Sequence, residues 1–102
     1  MIFVIATIEV KPGKRDAFIA EFKQNVPNVL AEKGCIEYGP TVDVQSGLKP
    51  QIPMRENVVT IVEKWESLPD LQAHVVAPHM NTYRERVKDL VVGVTLQVLE
   101  PK

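Results

Sequence analysis

At 102 residues the chain has the length of one domain, residues 1–102, with no room for a second core. Hydrophobic residues at 45% and charged residues at 25% exclude a disordered chain, and a formal net charge of -1 without a basic run gives no electrostatic reason to expect nucleic acid or an anionic membrane as partner. The single cysteine, Cys35, excludes an internal disulfide and has no metal-type spacing around it, so the cytoplasm is the expected compartment. Ile2–Val10 is rich in β-branched residues and ends in the turn Lys11-Pro12-Gly13-Lys14, which predicts a first strand. It is too short, and lacks the basic lead and cleavage site, to read as a signal peptide. Ile2, Val4, Ala6, Ile8 and Val10 fall on one side and Phe3 and Ile5 on the other, so this strand must be covered twice, a first indication of a second chain.

Arg15–Lys33 carries Phe18, Phe22, Val26, Val29 and Leu30 at helical spacing, with its charged residues between them as a solvated face. Pro27 should kink or divide this helix, and Gly34 should cap it. Ile36–Val44 alternates as a second strand, disturbed at Gly39-Pro40, which indicates an edge or a bulge. Gln45–Glu56 holds Gly47, Pro50 and Pro53 and is too long for a hairpin loop, so it is either a functional lid or a loose excursion; Met54 within it either reaches a pocket or caps local surface. Val58–Glu66 is the third strand, with Val59, Ile61, Glu63 and Trp65 on one face. Ser67 then supplies an N-cap and Asp70 a first-turn carboxylate for a helical piece Leu68–Val76. Pro78 opens a second piece, Pro78–Leu90, and Val92–Leu99 is the fourth strand.

The order strand, helix, strand, strand, helix, strand predicts an α+β, ferredoxin-like βαββαβ fold with an antiparallel sheet. Helices cover one sheet face. The other carries Val58, Thr60 and Val62 and half of the first strand, an apolar surface that a two-fold homodimer would bury.

Glu63–His79 contains the only tryptophan and both histidines. Imidazole titrates near neutrality, at about 6.5, so His74 and His79 are the candidate bases. Tyr83 and Arg86 follow His79 by four and seven residues, on one helix face, and could form a polar cluster with it. Each residue also has a plainer reading: Trp65 and His74 as core, His79 as a helix-start or dimer contact, Glu63 as a salt-bridged carboxylate. No glycine-rich phosphate loop or metal-ligand cluster is visible, so neither a nucleotide cofactor nor a metal is expected.

Val10-Lys11-Pro12-Gly13-Lys14, Gly34-Cys35-Ile36-Glu37-Tyr38, Glu63-Lys64-Trp65-Glu66-Ser67 and Ala73-His74-Val75-Val76-Ala77-Pro78-His79 together resemble the antibiotic biosynthesis monooxygenase family of dimeric α+β barrels. The resemblance spans nearly the whole chain, and its last two segments are the most specific. It implies a pocket between sheet and helices where an electron-rich phenolic substrate is deprotonated and reacts with oxygen without a cofactor. His74 or His79 would be the base and Trp65 an aromatic wall; Tyr38, Glu63, Tyr83 and Arg86 would contact substrate. Haem-degrading relatives use a first-strand asparagine where this chain has Thr7, and some anthrone oxygenases have one at the position of Ile61, which speaks against haem cleavage and weakens an anthrone assignment. Three functions follow: a cofactor-independent oxygenase of quinols or related phenols, a proton-transfer isomerase using the same imidazoles, or a noncatalytic dimeric module for an apolar small molecule.

Overall fold

A computed structural model describes residues 1–102. Its elements are β1 (Ile2–Val10), α1 (Arg15–Leu30), β2 (Cys35–Thr41), β3 (Val58–Trp65), α2 (Leu68–Val75), α3 (Pro78–Val87) and β4 (Val91–Leu99). The strands pair antiparallel in the order β2-β3-β1-β4, the ferredoxin-like arrangement expected from the element order.

Period-two alternation sets the layers. In β1, Val4, Ala6, Ile8 and Val10 are buried; in β3, Val59, Ile61, Glu63 and Trp65 are buried. These face Phe18, Phe22 and Val29 of α1, Leu71 of α2, and Met80, Tyr83 and Val87 of α3. The opposite sheet face is half-buried at Phe3, Ile5, Val58, Thr60 and Val62 within the single chain. In register across that face stand Thr41, Thr60, Thr7 and Thr95, one threonine from each strand. Thr60 Oγ1 is buried there without a hydrogen-bond partner.

Several boundaries differ from expectation. The first helix is not divided at Pro27; one helix passes through it and stops at Leu30, three residues before Lys33. A proline one turn from a helix end costs a single hydrogen bond. Residues 31–34 form a turn instead, and this releases Glu32 from the solvated helix face to which the periodicity assigned it. The second strand is Cys35–Thr41 rather than Ile36–Val44, and its irregularity lies between Cys35 and Glu37, not at Gly39-Pro40. Pro40 stays in register because β2 is an edge strand, where a missing donor faces no neighbour. The third helix ends at Val87 instead of Leu90. The excursion between β2 and β3 is irregular but pinned at its neck, where Arg55 donates from Nε and Nη2 to Asp43 at 2.9 and 2.8 Å. Met54 is exposed.

Gly34 fastens the turn to the rest of the site. Its φ of +81° lies in the left-handed region, and a Cβ there would land on the Asp70 carboxylate at the start of α2. Gly34 O also accepts from Glu66 N at 2.8 Å. The Asp70 side chain is held in turn by Ser67, whose hydroxyl donates to Asp70 Oδ2 at 2.9 Å and accepts from Asp70 N at 3.3 Å. Gly34→Ala is expected to destabilise the fold by about 1–3 kcal/mol, from the left-handed penalty plus displacement of Asp70, measured by urea denaturation.

Candidate functional site

Between the sheet and helices α2 and α3 lies a cavity of about 660 Å³, and sixteen of its twenty-one lining residues are hydrophobic. Its floor is Val4, Ala6 and Ile8 of β1 with Ile61 and Glu63 of β3; Leu71, His74, Met80 and Tyr83 descend from the helices. An apolar enclosure with a few polar groups at one end is the usual form of a small-molecule site.

The polar end is built from four elements. Glu63 reaches the helix side of β3 by the same alternation that buries Ile61, and it is only 6% exposed. Two residues on, Trp65 Nε1 donates to Glu63 Oε1 at 2.9 Å. Burial pushes the Glu63 carboxyl above its ordinary range; the indole bond and nearby His74 oppose that shift, and Glu32 adds to it. His74 is 4% exposed on the inner face of α2, with its ring centroid 4.8 Å from that of Trp65 and 5.4 Å from that of Tyr38. Its Nδ1 is 2.9 Å from Glu32 Oε2. With Glu32 Oε2 as the acceptor of that bond, its proton is carried on Nδ1 and the lone pair on Nε2. His79, at the start of α3, brings Nε2 to 3.0 Å from the same Glu32 oxygen. That approach is close enough for an ion pair when the ring is protonated but is not aligned as a hydrogen bond, and both His79 ring nitrogens are buried without a bonded partner. No three His, Cys, Asp or Glu side chains are grouped so as to hold a metal ion.

Tyr38 stacks on Phe22 with centroids 5.2 Å apart, and Tyr83 meets Phe22 edge-on at 5.6 Å. Burial pushes both phenols far above their ordinary range, so each remains a proton donor in the cavity wall. Cys35, at the head of β2, is pushed up to about 11 by burial and the nearby carboxylates, which keeps it a thiol.

Of the residues singled out from sequence, Tyr38, Glu63, His74 and Tyr83 line the cavity. Trp65, read as either core or an aromatic wall, takes the core position: it lies behind the lining, fully buried beneath Glu63 and His74. His79 contacts Glu32 and does not line the cavity. Arg86 does not join His79 and Tyr83 in a cluster; it is exposed and donates to Gln24 Oε1 of α1 at 3.0 Å. The buried stripe of α3 is Met80, Tyr83 and Val87, and Arg86 falls on its margin. Glu32 was not anticipated as a site residue. The signal for it is a carboxylate placed after the last apolar-periodic residue and just before Gly34.

The raised Glu63 carboxyl makes stability pH-dependent. A group with a folded-state pKa above its unfolded value stabilises fully below the unfolded value, near 4.5, and the contribution is lost as pH rises through the folded value. The contribution of Glu63 to stability in urea is therefore expected to fall as pH rises above about 4.5. Glu63→Gln, which keeps an oxygen for the Trp65 N–H, should flatten that fall.

A model of the family described as antibiotic biosynthesis monooxygenase matches residues 1–86. The protein named "Probable quinol monooxygenase YgiN" of Escherichia coli (strain K12) is 40% identical over 103 residues, covering 99% of this chain and 98% of that protein. Among solved structures, a conserved protein from Methanosarcina mazei Go1 matches with a TM-score of 0.82 at 22% identity, over 99% of this chain and 92% of that one. Rv0793 from Mycobacterium tuberculosis matches with a TM-score of 0.79 at 25% identity, over 99% and 94%.

Proposed function

Because the chain belongs to the antibiotic biosynthesis monooxygenase family, we propose that it oxygenates a small quinol or related phenol in the cavity beneath α2 and α3, with no organic cofactor or metal. The observation that carries this reading is the Glu32–His74 pair at the polar end of an otherwise apolar cavity. The quinol specificity is taken from the name of the E. coli relative.

His74 Nε2 accepts a phenolic proton while Glu32 holds Nδ1–H and stabilises the imidazolium that forms. The Tyr38 and Tyr83 hydroxyls donate to the substrate oxygens and steady the phenolate. The electron-rich ring then supplies the electrons that reduce oxygen. One oxygen atom forms a new bond to a ring carbon, which gives up its proton; the O–O bond breaks and the other atom leaves as water. A quinol and O2 thus become a hydroxyquinone and water, with no external reductant. The apolar walls keep solvent away from the anion.

Oxygen uptake by the purified protein with a panel of naphthohydroquinones and anthrones, corrected for autoxidation, tests the reading. Uptake above the control that falls in His74→Ala is the expected result. Turnover of a substrate without oxygen consumption would favour a proton-transfer isomerase, and saturable binding without turnover a noncatalytic module.

The functional unit proposed is a two-fold homodimer in the cytoplasm. The half-buried Ile5, Val58 and Val62, and the unpartnered Thr60 hydroxyl among them, support a second sheet against this face. Val58→Asp together with Val62→Asp should convert the dimer to monomer in light-scattering mass; an unchanged dimer mass would refute this face assignment.

A further inference from the structure

The cavity is polar at one sheet edge and hydrocarbon at the other. The inward row shared by all four strands reads Tyr38, Glu63, Val4, Val98 from β2 to β4. In the next row Ile61 is followed by Ala6 and Leu96, and beyond it Val59 by Ile8 and Val94. Neighbouring strands lie about 4.8 Å apart, so β4 is about 10 Å from the Glu63 and His74 end, farther than the oxygenated head of a bound quinol needs to reach. Along β4 the cavity lining is Val91, Val94, Leu96 and Val98, the last three each about half exposed, while Ala6 keeps the floor between the two ends low.

The β4 stripe presents no charged side chain to the cavity, and the cations that line it, Arg84 and Lys88, stand across from the stripe on and just after α3 with their donors already engaged. Arg84 donates to Val75 O at 2.7 Å and to Asn81 Oδ1 at 3.2 Å, and Lys88 is paired with Glu85 at 2.6 Å. We propose that the substrate is a quinol bearing an uncharged aliphatic chain, its head at Glu63 and His74 and its chain laid across Ala6 onto the Val94, Leu96, Val98 stripe. This rests on the proposed site but not on oxygen chemistry, because binding alone reports it.

Trp65 is the only tryptophan and lies directly behind the polar end, so its fluorescence reports occupancy by a quenching quinone. Titration with naphthoquinone and with its n-hexyl derivative gives two dissociation constants, and neither ligand can be oxidised as a quinol. The hexyl compound should bind at least about thirtyfold more tightly, in line with burial of several methylenes. Leu96→Asn and, independently, Val94→Asn should each cut that ratio to a few-fold. Equal affinities in the unsubstituted protein would overturn the inference, as would a ratio that survives both substitutions. If either variant changes the solution mass and leaves the ratio intact, the stripe is a subunit contact and the inference falls. Loss of oxygen uptake in every assay with a preserved, stripe-dependent ratio would instead refute the oxygenase and leave this inference standing.

Discussion

Glu32→Gln is expected to lower kcat/KM for quinol-dependent oxygen uptake by about 10²–10⁴, with little loss of stability. The carboxylate does two things that an amide does not. It accepts from His74 Nδ1–H, which directs the lone pair to Nε2, and it carries the negative charge that offsets the imidazolium. An amide can turn its NH2 group toward Nδ1 and draw the lone pair there, leaving Nε2 protonated and unable to take the phenolic proton. Glu32 is partly exposed in a turn, so the substitution removes little packing. His74→Ala should cost at least as much, and the double variant no more than the larger single effect, because the two residues act as one unit. Additive losses measured in steady-state kinetics would show that Glu32 acts elsewhere. His79 gives an internal comparison: it approaches the same oxygen without a directed bond and stands outside the cavity lining. His79→Ala should therefore cost much less, through the electrostatics of Glu32 alone.

Trp65→Ala is expected to have the largest effect on stability, about 3–5 kcal/mol. The indole is fully buried, the largest such side chain in the core, and its removal leaves a void under the site. It also strips the Glu63 carboxyl of its N–H donor. Domains of this size are held by roughly 5–15 kcal/mol, so the variant should retain only part of its stability and Tm should fall by about 15–30 °C in calorimetry at fixed protein concentration. Trp65→Phe separates the two causes. It keeps most of the packing and loses the donor, so it should cost less overall and make the destabilisation steeper with rising pH as Glu63 loses its proton. A pH-independent difference between Trp65→Phe and the parent protein would mean that the indole N–H contributes little.

The layers of the fold were legible because burial repeats with the backbone period. Alternation in Val58–Glu66 placed Glu63 and Trp65 on the helix side, where both are found. Ser67 and Asp70 announced the start of α2, and Pro78 the start of α3, each through a backbone requirement that acts locally. Residues whose placement depends on contacts distant in sequence were harder to read. Glu32 looked like one more charge on an amphipathic helix, and only the stop at Leu30 and the left-handed Gly34 turn it toward His74, 42 residues away. Arg86 was misplaced for the complementary reason. Helical spacing aligned it with His79 and Tyr83, but a long exposed side chain goes to its partner, and that partner is Gln24 on α1. Trp65 was placed on the correct face, but its depth, core or cavity wall, stayed open, since alternation gives the side of a sheet and says nothing of what else fills it.

The central claim is that this cavity directs oxygen onto a quinol through the Glu32–His74 pair. Its most direct measurement is the mass of the quinone product formed under isotopically heavy O2, with the parent protein and with Glu32→Gln compared at equal protein concentration and corrected for autoxidation. One heavy oxygen atom per product molecule, with the other recovered in water and the yield collapsing in Glu32→Gln, is the expected result. Unlabelled product, or labelled product formed equally well by Glu32→Gln, would contradict it.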